Sequence, residues 1–482
     1  MATGILFNVV CNLIFVVVGY AIHYFFGAVM TPAEYGVMGS ILTILDFEYL
    51  FLNNGVRQSL SKEISSGKYD TKNLIQKGIL FQAGMMLVMC AVNVLGANLL
   101  GRLLQDASIP RYIRLASLMV LSNGSFVVTI GIAEGLRKFV SAATANLIYS
   151  LCKLSVVPYV LWIFRDPIVG AEMGYVTAGL IGIAAGCGLL YRNRAAMQNT
   201  ARERIPFGKY VRSTLNFSVF FIIVSVVLSL DTLVVKGRTH ESALAGYYTG
   251  AVNFAKVTYF ILQAFFTILL PTLTRAYSEG RHQDVVDTAS LMEQAALALV
   301  LPICAMISAT GPSLLRCFYG KTYIRAADAL GFLSFAHFSI GMTVMYAMML
   351  SAMNDRKFTV WLSVITLAAD VALVFPLTSN MSITGTALAG FIVTRGALMA
   401  ITIYARMKLK KLGTPTKKNK GLFLLFFSSC FWLGLRVLLN RVVINNLFLL
   451  GGLYLVLYAA LIALYHFTGL FNLKDFVRGL RK

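Results

Sequence analysis

Apolar blocks about twenty residues long follow one another along the chain, from Ile5 to near Thr468. At 1.5 Å per residue, about twenty residues form a helix that crosses roughly 30 Å of hydrocarbon. Backbone polar groups in lipid must be satisfied inside their own element, so such blocks specify helices rather than an open sheet. Composition removes the alternatives. Of 482 residues 58% are apolar and 13% charged, and the mean hydropathy is +0.75. A soluble globule of this make-up lacks the polar surface to cover itself, and a disordered chain would be far more polar. The fold class predicted is an all-α polytopic membrane protein.

Fourteen spans are predicted, near 5–29, 35–56, 78–101, 112–134, 142–164, 170–190, 214–235, 246–270, 290–313, 326–352, 359–378, 384–405, 421–440 and 446–468. No loop exceeds about 25 residues, which leaves no room for a soluble domain. The first block has no basic leader or small-residue cleavage site and reads as a span, not a signal peptide. Thr31-Pro32-Ala33-Glu34 has the pattern of a capping box opening the second span. The stretch Lys408–Lys420, with Gly413 and Pro415, reads as a flexible basic linker before a final pair of spans.

The net charge is +22. With no RNP-like motif or zinc spacing, this charge belongs to loops that set topology and meet anionic lipid, not nucleic acid. Loops after the even-numbered spans hold 28 of the 42 basic residues, and the opposite loops hold ten. The expectation is a multi-pass protein of the bacterial inner membrane with both termini in the cytoplasm, acting as a monomer. Seven cysteines form no CxxC or Cys/His set and read as apolar filler.

Internal repeats organise the chain. Ser61-Lys62-Glu63-Ile64-Ser65-Ser66-Gly67-Lys68 and Thr274-Arg275-Ala276-Tyr277-Ser278-Glu279-Gly280-Arg281 share one pattern, 213 residues apart. Arg137-Lys138-Phe139 returns as Arg356-Lys357-Phe358 after 219, and Gly174–Gly179 matches Gly385–Gly390 after 211. Three matches in order at nearly one spacing predict two six-helix lobes in parallel repeat plus a C-terminal pair. The divisions expected are 1–213, 214–406 and 407–482.

Ala33-Glu34-Tyr35-Gly36, Gly55 with Ser61-Lys62-Glu63-Ile64, Asp231-Thr232-Leu233, Gly246-Tyr247-Tyr248 and Pro271-x-Leu273-x-Arg275 give the chain a family likeness. It resembles the polysaccharide flippases of the multidrug/oligosaccharidyl-lipid/polysaccharide (MOP) exporter superfamily, which includes Wzx-type and MurJ-type lipid II flippases. The resemblance implies a V-shaped pair of lobes, with a cavity walled by spans one, two, seven and eight. It also implies a substrate, an undecaprenyl-pyrophosphate-linked glycan taken up from the inside. Glycan polymerases or glycosyltransferases of the same pathway are the implied partners.

No catalytic constellation is visible. His23, His240, His282, His337 and His466 are scattered, and there is no P-loop or HExxH, so neither an enzyme nor an ATP-binding protein is expected. No cofactor is expected. Transport must then draw on a Na+ or H+ gradient, on the membrane potential, or on consumption of the product. Charges inside spans are costly and face a cavity or a partner. Asp46, Lys153, Lys256, Asp370 and Arg395 fall near mid-span. Lys256 and Lys153 are the predicted cationic contacts for a pyrophosphate, with Asp46 tempering their charge. Arg57 and Lys62 at the inner mouth are candidates for first contact, or ordinary loop charges. Asp231 is either a gate or cation site, or a helix-end residue beside Lys236 and Arg238. Asp370 and Arg395 are either ion-coupling groups or a structural pair. Two other readings stay open: a MATE-like exporter of small molecules and a lipid II flippase. A membrane polymerase is disfavoured by the short outer loops.

Overall fold

The computed structural model describes residues 2–65, 67–194, 203–239, 241–353, 355, 357–416, 419–439 and 442–472. Ser66 and Arg356 of the repeat motifs, His240, and Lys417, Lys418, Lys474, Arg478, Arg481 and Lys482 of the basic stretches lie outside them. Among the described residues the chain is helical throughout, and ten helices are long and apolar enough to cross a membrane. This is an all-α polytopic membrane protein.

The first helices are α1 (Ala2–Val29), α2 (Pro32–Leu50), α3 (Gln58–Ser65), α4 (Thr71–Leu103) and α5 (Ile109–Gly135). They are followed by α6 (Phe139–Cys152), the single turn α7 (Val156–Pro158), α8 (Pro167–Arg192) and α9 (Phe207–Arg238). Then come α10 (Ser242–Ser278), α11 (His282–Leu299), α12 (Leu301–Ala309), α13 (Gly311–Tyr319) and α14 (Ala327–Ala352). The chain closes with α15 (Lys357–Leu412), α16 (Gly421–Leu439) and α17 (Leu447–Phe467). Among the described residues, each of the fourteen predicted segments lies mainly on helix, and ten helical stretches meet the length and apolarity of a span. Helix α15 is two of the predicted segments, joined where Ser382 takes φ 55 and ψ −139.

Local chemistry sets the helix starts. Thr31 caps α2 as a full capping box with Glu34. Asp70, Asp166 and Asn446 accept backbone N–H groups at the starts of α4, α8 and α17. Among the described residues several spans are broken inside, the ninth at Val300 and Thr310, and the second and fifth by other helix types. A π-helical stretch, Phe51–Arg57, joins α2 to α3. The fifth span passes from α6 through a 3₁₀ turn at Lys153–Ser155 and α7 to a π turn at Tyr159–Ile163. Such irregular turns within helices are frequent at functional places.

Two compact units divide the chain, Met1–Gly246 and Tyr247–Lys482. In the first, α5 is central and packs on α4, α8 and α3. Small residues let α8 approach closely: a Cβ on Gly174 would stand 2.6 Å from Val156 Cα, and one on Gly179 2.7 Å from Ser122 Oγ. Val56, Leu60, Phe126, Tyr149 and Ala178 fill the space between these helices.

In the second unit the appended α16 and α17 are fastened to α11–α13. Trp432 Nε1 donates to Ser308 Oγ at 3.1 Å, Tyr458 to the Leu299 carbonyl at 3.1 Å, and Thr310 shares a 2.6 Å bond with Tyr454. In the stretch read as a flexible linker, the described residues 408–416 and 419–420 make contacts with the rest of the unit. Residues 408–412 continue α15, Gln283 donates to the Thr414 carbonyl at 2.8 Å, and Thr416 N donates to Asp287 at 2.7 Å. Asn419 reaches Glu293, whose other oxygen takes a 2.5 Å bond from Arg406. Proline and glycine mark the turn, but its α11 partners, the donor Gln283 and the acceptors Asp287 and Glu293, are more than a hundred residues away in sequence.

Candidate functional site

Lys153 stands where the fifth span breaks. Its Nζ lies 4.3 Å from the Phe15 ring centroid, 4.7 Å from that of Tyr149 and 5.9 Å from that of Tyr175. Three aromatic faces from α1, α6 and α8 thus hold one ammonium inside the first unit, an arrangement favourable by about 0.5–2 kcal/mol. Asp46 of α2 lies within electrostatic range of Lys153, Tyr149 and Tyr175. Asp46 is exposed although it sits midway along a 34-residue helical stretch, Pro32–Ser65. The predicted Lys153 and Asp46 are therefore neighbours in one unit. The aromatic ring of partners was not predicted, because the rings come from three helices far apart in sequence.

Arg57 ends the π stretch after α2 and is not a loop charge. Its Nε donates to Glu134 Oε2 at 3.0 Å and Nη2 to Oε1 at 2.5 Å, while Nη1 donates to Asn53 at 2.7 Å. This is the planar fork that arginine offers to carboxylate or phosphate. Gly131, one turn before Glu134, lets α5 come close: a Cβ there would stand 3.1 Å from the Arg57 carbonyl. Lys62, on α3, is exposed.

Asp231 is 9% exposed, and its carboxylate accepts the Thr232 N–H at 2.7 Å. Lys236, which the sequence placed beside it as a helix-end neighbour, instead reaches Asp106 in the turn between α4 and α5, at 2.6 Å. The Ser108 N–H and hydroxyl both donate to the other oxygen, Asp106 Oδ1, at 2.9 and 2.6 Å. Burial opposes charge on Asp106, but Lys236 and Ser108 outweigh it and hold the carboxyl below its usual range.

In the second unit, Lys256 is half-buried on α10, and its charge reaches His337 of α14. His337 Nδ1 bonds the Leu333 carbonyl at 3.0 Å. The two helices meet closely where a Cβ on Gly341 would stand 2.5 Å from Leu262 Cδ1. Arg395 faces rings, with its guanidinium carbon 5.7 Å from the Phe335 centroid and 5.6 Å from that of Phe391. Asp370 is 2% exposed on the other arm of the α15 hairpin. The structure thus gives Arg395 aromatic partners, while the sequence had offered only Asp370. In the first unit, His23 bonds the Tyr35 hydroxyl at 3.0 Å, as a satisfied interior histidine would.

A bundle of apolar helices, interrupted where charged side chains are held inside it, is the build of a membrane transporter. Residues 1–277 match the family model described as Polysaccharide biosynthesis protein, and the chain belongs to that family. No curated protein matches the chain by sequence. Solved structures share its fold. A structure of the lipid II flippase MurJ in an inward closed conformation aligns with TM-score 0.74 at 12% identity, covering 97% of this chain and 100% of that one. A multidrug resistance MATE family transporter of the MOP superfamily, inward-facing, aligns with TM-score 0.70 at 14% identity, covering 82% of this chain and 94% of its own. A MOP superfamily transporter from Pyrococcus furiosus, described as having a binding pocket of reverse polarity, gives 0.59 at 13%, covering 85% and 93%.

Proposed function

We propose that this chain is a flippase that carries a polyprenyl-pyrophosphate-linked oligosaccharide or polysaccharide repeat unit from the cytoplasmic to the outer leaflet by alternating access. The observation that carries the reading is the family match together with the charges kept inside the spans. A diphosphate head cannot cross hydrocarbon bare, because desolvating it costs many kcal/mol. Cationic donors on a wet face offset that cost. Asp46 is exposed at mid-span, where contact with lipid would cost roughly 3 kcal/mol, so that face of the first unit is a water-lined one. Lys153, beside it, and Lys256 in the second unit are assigned to the diphosphate. Arg57 and Lys62 are assigned to its first capture.

The polyprenyl tail stays in the bilayer, so only the head group needs the polar path. The chain sits in the bacterial inner membrane with both termini in the cytoplasm, and works beside the polymerase or glycosyltransferases that use its product. Asp231, Asp370 and Arg395 are the candidates for ion coupling or gating. A small-molecule exporter is the second reading, drawn from the likeness to MATE transporters; that alignment leaves 18% of this chain uncovered, against 3% for the lipid II flippase.

The test is Lys256→Ala in a strain that depends on this gene. Export should stop and lipid-linked glycan should accumulate, with the protein still inserted, while Lys256→Arg keeps part of the activity. Normal export by Lys256→Ala would overturn the assignment, and a deletion strain without accumulated lipid-linked glycan would overturn the function.

A further inference from the structure

Glu172 is 0% exposed, and neither of its carboxyl oxygens has a hydrogen-bond partner among the described residues. Buried polar groups are almost always hydrogen-bonded, and a buried carboxylate without a donor costs several kcal/mol. A neutral acid at the same place costs far less. The surroundings fix where a proton would come from. Glu172 lies six residues beyond the N-cap of α8, which is Asp166, so the two are about 9 Å apart along the helix. Gly170 and Gly174 press α8 onto the broken fifth span, where a Cβ would stand 3.0 Å from the Tyr159 carbonyl and 2.6 Å from Val156 Cα. Glu172 is two residues from each glycine, about 200° around the helix, and thus turned away from that span.

Its electrostatic neighbours are Asp166, Arg111 and Tyr112. Tyr112 donates to Asp166 Oδ2 at 2.8 Å, and Arg111 Nη1 stands 3.6 Å from the same oxygen. The Asp166 side chain is 25% exposed and that of Arg111 70%, so this trio forms the watery end of the cluster. The other charged or titratable groups on elements packed against α8 are Arg114 and Glu134 of α5, Tyr149 and Cys152 of α6, and Lys153 and Tyr159 of the broken fifth span; Arg114 bonds Asn98 at 3.0 Å and Glu134 is held by Arg57. Lys153 lies over Phe15, Tyr149 and Tyr175, Tyr149 bonds Asn123 at 3.1 Å, and Tyr159 bonds Thr177 at 3.0 Å.

We propose that Glu172 is a proton-binding site of the first unit, loaded through Asp166 and Tyr112 at the end of the bundle where α5 and α8 begin. A proton from hydronium binds Asp166, Tyr112 passes its hydroxyl proton to the Glu172 carboxylate and takes the one on Asp166, and release reverses these steps, so that every O–H bond broken is matched by one formed and water is the only other product. Asp166 also positions Tyr112 and Arg111 for that route. Proton binding at Glu172 also makes it a group through which a proton gradient drives export; that coupling role rests on the transport reading, and the site itself does not.

The test uses the full chain in lipid vesicles and infrared difference spectra between acid and alkaline pH. The carbonyl stretch of a protonated, buried carboxyl should be present in the wild type and absent in Glu172→Gln. Glu172→Asp, which keeps the acid, should shift that band rather than lose it, and covers the case in which the glutamine variant does not fold. Asp166→Asn and Tyr112→Phe should slow the appearance of the band after a pH jump at least severalfold. Identical spectra for wild type and Glu172→Gln would overturn the site, and an unchanged rate in both route variants would overturn the route. If the band behaves as expected while export in Glu172→Gln still responds to a collapsed proton gradient as in the wild type, the coupling fails and the proton site stands.

Discussion

Lys236 Nζ stands 2.6 Å from Asp106 Oδ2, and the lysine side chain is 3% exposed. The pair ties the end of α9 to the turn between α4 and α5. A Cβ on Gly237 would lie 2.5 Å from the Leu103 carbonyl, which shows how closely the two segments meet. An ammonium so deeply enclosed depends on its counter-charge.

Asp106 makes this pair pH-sensitive. Burial works against its charge, but Lys236 and Ser108 hold the carboxyl below the usual range. A depressed carboxyl stabilises the fold fully above the unfolded-chain value of about 3.9, and the gain is lost as pH falls through the folded value. Asp106→Asn should therefore lose part of the acid limb of the stability profile. At neutral pH it should cost about 3–5 kcal/mol, because Lys236 remains buried without an anion. Thermal unfolding in detergent from pH 3 to 8 measures both. Matching acid limbs in wild type and variant would contradict this account.

The Arg57–Glu134 fork should show the difference between charge and shape. Arg57→Lys keeps the charge but cannot make the paired bonds to Glu134 and the third to Asn53. A charge-assisted hydrogen bond contributes about 1.5–3 kcal/mol, and the variant should lose roughly that much stability. Glu134→Ala should lose at least as much. Chemical denaturation of the purified variants reads the difference; a lysine variant as stable as wild type would show that the fork is not what holds α2 to α5.

Gly246 admits no side chain. A Cβ there would stand 1.9 Å from the Pro32 carbonyl, a backbone atom that cannot swing aside. A Cβ on Gly36 would also be too close, 2.7 Å from the Gly246 nitrogen. Gly246→Ala should destabilise by on the order of 1–3 kcal/mol through overpacking. Gly96→Ala, with nothing within 4 Å of its Cβ, should be neutral or slightly stabilising. Equal melting temperatures for the two variants would refute the close-contact account.

Lys153→Met keeps the length of the side chain and removes its charge. Folding should survive, since Phe15, Tyr149 and Tyr175 still have an apolar partner. Export should fall at least tenfold, with lipid-linked glycan accumulating, and Lys153→Arg should retain part of it. A methionine variant that exports normally would remove Lys153 from the substrate path.

The sequence by itself determined the helices and the family. Block length against bilayer thickness is a one-dimensional property, so each predicted segment could be read in isolation, and among the described residues each lies mainly on helix. The Thr31–Glu34 capping box was legible for the same reason, since both partners lie within one turn. The family motifs Ala33–Gly36 and Gly246–Tyr248 were legible as motifs, yet their reason was not: the two segments press together, Gly246 against the Pro32 carbonyl and Gly36 against the Ala245–Gly246 backbone. Tertiary structure alone decided the partners of the charges. Glu134 meets Arg57 across 77 residues, Asp106 meets Lys236 across 130, and the rings around Lys153 come from three helices. Nor does the local sequence say that Glu172 is sealed while Asp46 is exposed. Which side of a helix is covered depends on what packs against it, and in a chain apolar on every face no periodicity records that choice.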